Sequence, residues 1–389
     1  MSDGALQDDY RRRTPRRTTT LSLLGLTALG ACGLVLLGLG TSNMGVLPVL
    51  VGALAALIPV FVVVQAFLWV DRWEPEPPKM LVLAFVWGAC GAALAALLLN
   101  STAEIAANAI LGGHRGDTIA ALVSAPLFEE GAKGAFLLGL LIFARNEFDG
   151  VVDGIVYAGI VAAGFAFSEN IRYFAVAFEY GGFGSTKGVV AAFVLRGVFS
   201  PFVHPLFTVM TGIGFGVAAR TTVPWRRWAA PLIGYLVAVC LHALWNGSVT
   251  IGGSMGFISL YFYGMVPLFL AMVGLVLWSR RREQGVVETH VGTMAREGLV
   301  PAADMDVLCS MASRRQTVRR TRRRSGRQAA KATAVYHAAV TELAFLRRSL
   351  AAGVAGEDGD SRHERMIAEL AAARRRVEEL TQRSDPATG

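Results

Sequence analysis

Eight stretches of this chain are apolar over the thickness of a lipid bilayer, and no other feature limits its fold so strongly. They run roughly over 20–40, 46–70, 80–99, 117–144, 151–168, 189–219, 229–249 and 256–279. A helix needs about 20 apolar residues to cross the hydrocarbon core. The blocks lack the period-two alternation of a membrane β-barrel, and an open sheet edge in lipid would leave peptide groups without partners. The fold class is therefore all-α, a polytopic transmembrane helical bundle of about eight spans, in a chain of 389 residues that is 53% hydrophobic. The first block follows Arg11, Arg12, Arg13, Arg16 and Arg17. It is too long for the apolar core of a signal peptide and reads as a retained anchor.

The Lys/Arg bias of the short loops orients the bundle. With a cytoplasmic amino terminus, Arg72, Lys79, Arg145, Arg220, Arg226, Arg227, Arg280, Arg281 and Arg282 all fall on the cytoplasmic side. The opposite loops carry only Arg115, Arg172 and Lys187. The expectation is a multi-pass cell-membrane protein with both termini in the cytoplasm. Three cysteines, Cys32, Cys90 and Cys240, lie in apolar blocks and Cys309 lies in the tail. No CxxC spacing occurs, so neither a disulfide framework nor a structural zinc is indicated.

Composition divides the chain into a basic amino terminus (1–19), a membrane domain (20–282), an Arg-rich linker (283–327) and a helical hairpin or coiled-coil tail (328–389). The proline-dense loop "DRWEPEPP" separates the second and third spans, and so can set an accessory helix pair apart from the working bundle. The run "RRQTVRRTRRRSGR" favours anionic lipid headgroups at the cytoplasmic face. It has no interleaved aromatic residue to stack on bases, which disfavours nucleic acid. Beyond it, Tyr336, Val340, Leu343, Leu346 and Leu350 form one stripe, and Met366, Leu370, Ala373, Val377 and Leu380 another. Such stripes pack on each other or on a protein partner. No internal repeat suggests a two-halved transporter.

Ionisable groups inside spans are costly and default to a functional reading. Glu129 and Glu130 sit near the middle of the fourth span, Glu169 ends the fifth, His204 is midway along the sixth, and His242 and Asn246 lie in the seventh. Glu129 and Lys133 are four apart and can pair on one helix face, while Glu130 points about 100° away. An ion pair that fixes packing would account for Glu129 and Lys133, but a second carboxylate is excess to that task. Alone, His204 reads equally well as an interhelical hydrogen-bonding group. Glu169 stands three residues from Arg172 near the far surface. Asp149 reads as a helix cap, and Asp153 lies deeper with no assigned role. A carboxylate in a low-dielectric site can serve as a general base toward water. Imidazoles with a carboxylate can also hold a zinc ion with one open position, although no HExxH is present and the metal is inferred. Asn246 can donate to an oxyanion or simply bridge two helices.

The stretches "FEEGAK" (128–133), "GFAFSENIRY" (164–173), "FVHPLF" (202–207) and "LHALWN" (241–246) together resemble the PrsW family of intramembrane proteases, in order, over about 81–278. Its wider relatives are the CAAX prenyl endopeptidases and bacteriocin-processing membrane proteases. Phe165 and Glu169 stand in FxxxE form, which agrees with the PrsW branch and departs from the FxxxH of the prenyl peptidases. The resemblance implies Glu129 as the water-activating base, with Glu130 and Lys133 supporting it. It implies Glu169, His204 and His242 as metal ligands or direct catalytic partners, and Asn246 as the oxyanion donor. The activity it implies is a membrane-embedded, metal-assisted endopeptidase acting on membrane-anchored proteins, with anti-sigma factors as the best-known type. A non-catalytic membrane scaffold and a proton-coupled transporter are the alternatives. The protease reading requires Glu129 or Glu130, Glu169, His204 and His242 to converge on one pocket.

Overall fold

The computed structural model describes residues 16–111, 115–145, 148–356 and 358–382. Most of the basic amino-terminal stretch and the last seven residues of the tail lie outside the described residues. Every described element is helical. The chain begins with α1 (Arg16–Met44) and α2 (Val46–Val70). Next, α3 (Pro78–Val86) passes through a π-helical turn at Trp87–Ala92 into α4 (Ala93–Leu111), and α5 (Arg115–Ile119) passes through another at Ala120–Ser124 into α6 (Ala125–Phe143). The long α7 (Val151–Gly181) precedes α8 (Val189–Phe193), a π turn at Val194–Phe199 and α9 (Val203–Arg220). Then come α10 (Pro224–Thr250), α11 (Gly253–Leu260), a π turn at Tyr261–Met265 and α12 (Val266–Arg296). The tail holds α13 (Met305–Leu308), α14 (Met311–Ala351) and α15 (Gly359–Gln382).

Joined across the π turns, seven of the described helices are long and apolar enough to cross a membrane. The remaining block, 117–144, is also helical over most of its length, and it carries Glu129, Glu130 and Lys133 within five residues. Two helices outrun their apolar blocks. α7 continues to Gly181, so Glu169 stands inside the helix and not at its end. α12 continues from the membrane to Arg296 and enters the core of the tail.

α7 is the axis of the bundle. Residues 153–166 along it are buried, packed against Val63 and Phe67 of α2, Leu137 and Leu141 of α6, and Val209 of α9. Lipid supplies little hydrophobic drive between helices, so close backbone approach by small residues does much of the work. Gly154 of α7 and Gly212 of α9 show this best: a Cβ on either would lie 2.1 Å from the other's carbonyl oxygen.

The tail has its own apolar core, built from Val287, Val291 and Met294 of α12, Leu308 of α13, Leu343 and Phe345 of α14, and Leu370 of α15. Gly326, at φ 87°, interrupts α14 and leaves the Arg-rich run on a helical segment of its own. Trp73, from the loop between α2 and α3, is buried in this core. The Arg314 guanidinium covers its ring at 5.3 Å and bonds Thr341 Oγ1 at 2.6 Å. Burial brings the Arg314 pKa down to about 10. Burial, then the Arg314 charge, brings His337 down to about 4, so a neutral imidazole lies beside the cation. In the same loop the Asp71 carboxylate accepts the Glu76 amide, and Tyr157 of α7 donates to Glu76 Oε2 at 2.8 Å. Burial, reinforced by the Asp153 charge, pushes Glu76 up to about 11, so this contact is made by a neutral carboxyl.

The glycine contact predicts its own test. Gly154→Val should lower stability by about 1–3 kcal/mol or more through overpacking. Gly139→Ala, on α6 where nothing lies within 4 Å of an added Cβ, should leave stability unchanged or raise it by up to about 1 kcal/mol. Thermal melts of both variants in detergent check this, and equal losses would remove the packing argument.

Candidate active site

Four helices bring the ionisable groups together. α6 contributes Glu129, Glu130 and Lys133, α7 contributes Glu169, α9 His204 and α10 His242. Glu129, Glu130, Lys133, His204 and His242 are all buried. The structure thus brings together six of the seven residues singled out from the sequence. The seventh, Asn246, lies one helical turn beyond His242 and donates to the Ala121 carbonyl at 2.8 Å, which ties α10 to the π turn before α6.

Lys133 has no exposed side-chain surface, and every strong contact around it answers that fact. Its Nζ lies 2.8 Å from Glu130 Oε1, 3.3 Å from His204 Nδ1, 3.9 Å from Glu129 Oε2, and 4.0 Å from the centre of the Phe165 ring. The two glutamates thus divide the work differently from what the i,i+4 spacing suggests. Both pair with the lysine, but the tight partner is Glu130, three residues away. Glu130 is saturated: Oε1 accepts from Lys133 and from His242 Nδ1 at 3.0 Å, and Oε2 accepts from Thr208 at 2.8 Å.

Glu129 is left with spare capacity. Its Oε1 accepts from Asn100 at 3.3 Å, and Asn100 in turn accepts from Ser124 at 3.2 Å. Its Oε2 is buried with no hydrogen-bond partner, 3.8 Å from His242 Nε2. A buried carboxylate oxygen without a donor is rare and marks a place for water, a proton or a cation. His242 Nδ1 donates to Glu130, and in the neutral imidazole this leaves the Nε2 lone pair directed toward Glu129. That is the way metal-binding histidines are held, one ring nitrogen on a carboxylate and the other free.

His204 is fixed on both sides. Lys133 donates to Nδ1, which requires the proton on Nε2, and this proton is given to Glu169 Oε2 at 2.7 Å. Glu169 is also clamped by Arg196, whose Nε donates to Asn170 Oδ1 at 2.7 Å and whose plane lies 3.8 Å over the Tyr173 ring. The neighbour expected from sequence spacing, Arg172, is exposed and is not this partner. One ligand atom each from Glu129, His204 and His242 lie within 4.8 Å of one another, so these three residues form a group able to hold a metal ion. Glu169 stands behind His204 and is outside that group. Two of the three donors, Glu129 Oε2 and His242 Nε2, face the gap uncommitted. His204 would exchange one of its present partners for the metal.

Asp149 and Asp153 are remote from the site. Gly150 occupies the cap position of α7, Asp153 Oδ2 accepts the Asp149 amide at 2.8 Å, and Arg220 donates to the Asp149 carbonyl at 2.6 Å. The sequence reading missed Arg196, Thr208, Asn100 and Ser124. Arg196 carried a usable signal, an ionisable group inside an apolar block. Thr208 shares a helix face with His204 at i+4.

The model of the PrsW family of intramembrane metalloproteases matches residues 76–272, which is half of the chain and includes every site residue named above. The chain is similar to Protease PrsW of Geobacillus kaustophilus, 29% identical over 195 residues, covering 49% of this chain and 76% of that protein. It is 34% identical over 128 residues to Protease PrsW of Oceanobacillus iheyensis, covering 33% of this chain and 53% of that protein. With Protease PrsW of Bacillus subtilis it shares 26% over 224 residues, 57% of this chain and 91% of that protein. No solved structure matches.

The unequal roles of the two glutamates can be measured. Glu130→Ala leaves Lys133 buried without its tight partner and should destabilise the protein by about 3–5 kcal/mol. Glu129→Gln removes a carboxylate whose Oε2 has no donor and should cost less than half of that. Denaturant or thermal unfolding in detergent reads the difference, and a larger loss for Glu129→Gln would reverse the assignment.

Proposed function

The chain belongs to the PrsW family of intramembrane metalloproteases; it is a multi-pass membrane protease, and we propose that it cleaves membrane-anchored proteins at the Glu129–His242 gap. The observation that carries this reading is an orphaned carboxylate oxygen, Glu129 Oε2, 3.8 Å from the Nε2 of His242 in a buried site. His204 and His242 would hold the metal beside Glu129, with zinc the choice that suits imidazole donors next to a carboxylate. When bound, the ion supplies Lewis acidity toward the scissile carbonyl and a more acidic water.

The remaining steps belong to the chain's own residues. Glu129 Oε2 takes the proton of the attacking water, as a carboxylate without a donor is suited to do. Glu130 holds His242 through Nδ1 and keeps its Nε2 directed at the gap. Glu169 holds His204 through Nε2 in the same manner. Lys133 compensates the charge of Glu130, its tight partner, in a medium that opposes charge. Asn246 is reached by the substrate carbonyl only if it releases Ala121, and the amide then serves as the oxyanion donor.

The ends of α2, α6, α9 and the apolar part of α12 that carry Arg72, Arg145, Arg220 and Arg280 belong on the cytoplasmic side by the positive-inside bias, which also places both termini there. Measured along the helices, Glu129 stands before Phe143, Glu169 beyond Val151, His204 before Arg220 and His242 beyond Pro224 by about 21–27 Å of helical rise. The cut would therefore fall in the half of the bilayer away from the cytoplasm. A single-span protein with a short extracytoplasmic segment, such as an anti-sigma factor, has the fitting topology.

The purified chain with a single-span substrate tests this. Glu129→Gln should lower the cleavage rate by about 10²–10⁴-fold. A chelator should abolish cleavage, and added zinc should restore it. Cleavage by Glu129→Gln at the wild-type rate would remove the assigned base. Cleavage after complete metal removal would remove the metal.

A further inference from the structure

The Arg-rich segment of α14 has no counter-charge of its own. Between Val307 and Thr341 the sequence contains no acidic residue. Arg315, Arg319, Arg322 and Arg323 follow the i, i+4, i+7, i+8 pattern of one helix stripe, and all four are exposed. None of them forms an ion pair among the described residues. Arg314 alone turns inward, to the core of the tail.

The start of this segment lies at the membrane boundary. Arg280 donates to the carbonyl of Trp69, the penultimate residue of α2, and covers its ring at 4.0 Å. Trp69, Trp225, Trp228 and Trp278 are all exposed at this end of the bundle, where aromatic side chains mark the headgroup level. Arg314, at the start of α14, covers Trp73 of the α2–α3 loop at 5.3 Å, and Arg280 lies within electrostatic reach of Arg72 of that loop and Arg315 of α14. The one carboxylate acting on Arg280 is Glu283, which is buried and also faces Asp153, Asp71 and Arg220. Among the described residues none of Arg72, Arg280 and Arg315 forms an ion pair, and Arg280 is held beside the interfacial Trp69.

We propose that Arg72, Arg280 and Arg315, continued by the exposed stripe of α14, form a binding surface for the phosphodiester headgroups of anionic lipids. The gathered arginines grip one headgroup at the bundle edge, and the stripe lies along the leaflet. Planar guanidinium groups bind phosphate in a bidentate manner, and each near-surface cation adds to the attraction. The segment 311–327 holds no aromatic residue to stack on bases. Its start is held against the α2–α3 loop, next to the interfacial Trp69, through Arg314 and Trp73, which favours the bilayer over nucleic acid as the occupant. The binding would fix the tail, with Trp73 in its core, against the membrane.

The test uses the full chain in nanodiscs of phosphatidylcholine alone or mixed with phosphatidylglycerol. Hydrogen exchange of 311–327 and the phosphatidylglycerol retained in native mass spectrometry are read together. Wild type should exchange more slowly in the mixed discs and retain phosphatidylglycerol. The triple variant Arg315→Gln, Arg319→Gln, Arg323→Gln should lose the protection and weaken retention on the order of 100-fold, at about one near-surface cation's worth each. The triple Lys variant, which keeps the charge, should retain most of both. Equal exchange of wild type in the two discs would overturn the proposal. So would loss in the Lys variant equal to that in the Gln variant, or protection that appears only when an oligonucleotide is added.

Discussion

A lysine ammonium with no exposed surface, set among lipid-facing helices, is the constraint on which the rest of this site depends. Desolvating that charge is tolerable only if strong acceptors surround it. The chain supplies Glu130 at 2.8 Å, His204 at 3.3 Å, Glu129 at 3.9 Å and the face of Phe165. Each of these is then no longer free to adopt another geometry. Glu130 fixes the tautomer of His242, and Lys133 fixes the tautomer of His204. The ion pair therefore orients two imidazoles from different helices, and it leaves Glu129 Oε2 without a donor. The site is organised outward from the lysine, although the lysine need not touch the substrate.

Much of this was legible in the sequence, for a physical reason. Ionisable residues in apolar blocks stand out because lipid offers them no alternative, and Glu129, Glu130, Lys133, Glu169, His204 and His242 were found in that way. The division of labour between the glutamates was not legible. Spacing of three and four residues both reach Lys133, and only the position of His242 on another helix decides which carboxylate is saturated. Thr208 and Asn100 were hidden for a related reason: neutral polar residues are common in membrane helices, and nothing in one sequence says which neighbour they face. Arg196 was overlooked although it broke an apolar block, and its place beside Glu169 depends on the π turn that carries it.

The helix boundaries show the same division. Apolar length located the spans, but it ended the fifth at Glu169 and the last near 279, because composition becomes polar there. α7 continues because Phe174 and Ala175 remain buried among neighbouring helices. α12 continues because Val287, Val291 and Met294 meet a second core. That Trp73 belongs to this second core could not be read from "DRWEPEPP", since the partners that bury it lie more than two hundred residues away. Through Trp73, Glu76 and Tyr157, the tail is joined to the helix that carries Glu169.

Backbone-to-backbone glycine contacts clasp α7 to α3 and α9, and α9 to α10, so the helices bearing Glu169, His204 and His242 are held at fixed spacing. α6 has no such clasp. Gly131 and Gly134 meet only the side chains of Tyr235 and Thr211, and Gly139 meets nothing. Side chains can change rotamer where backbones in contact cannot yield. The distance between Glu129 and the histidines is therefore the most compliant dimension of the site, and widening it means tilting one helix while the other three stay rigid.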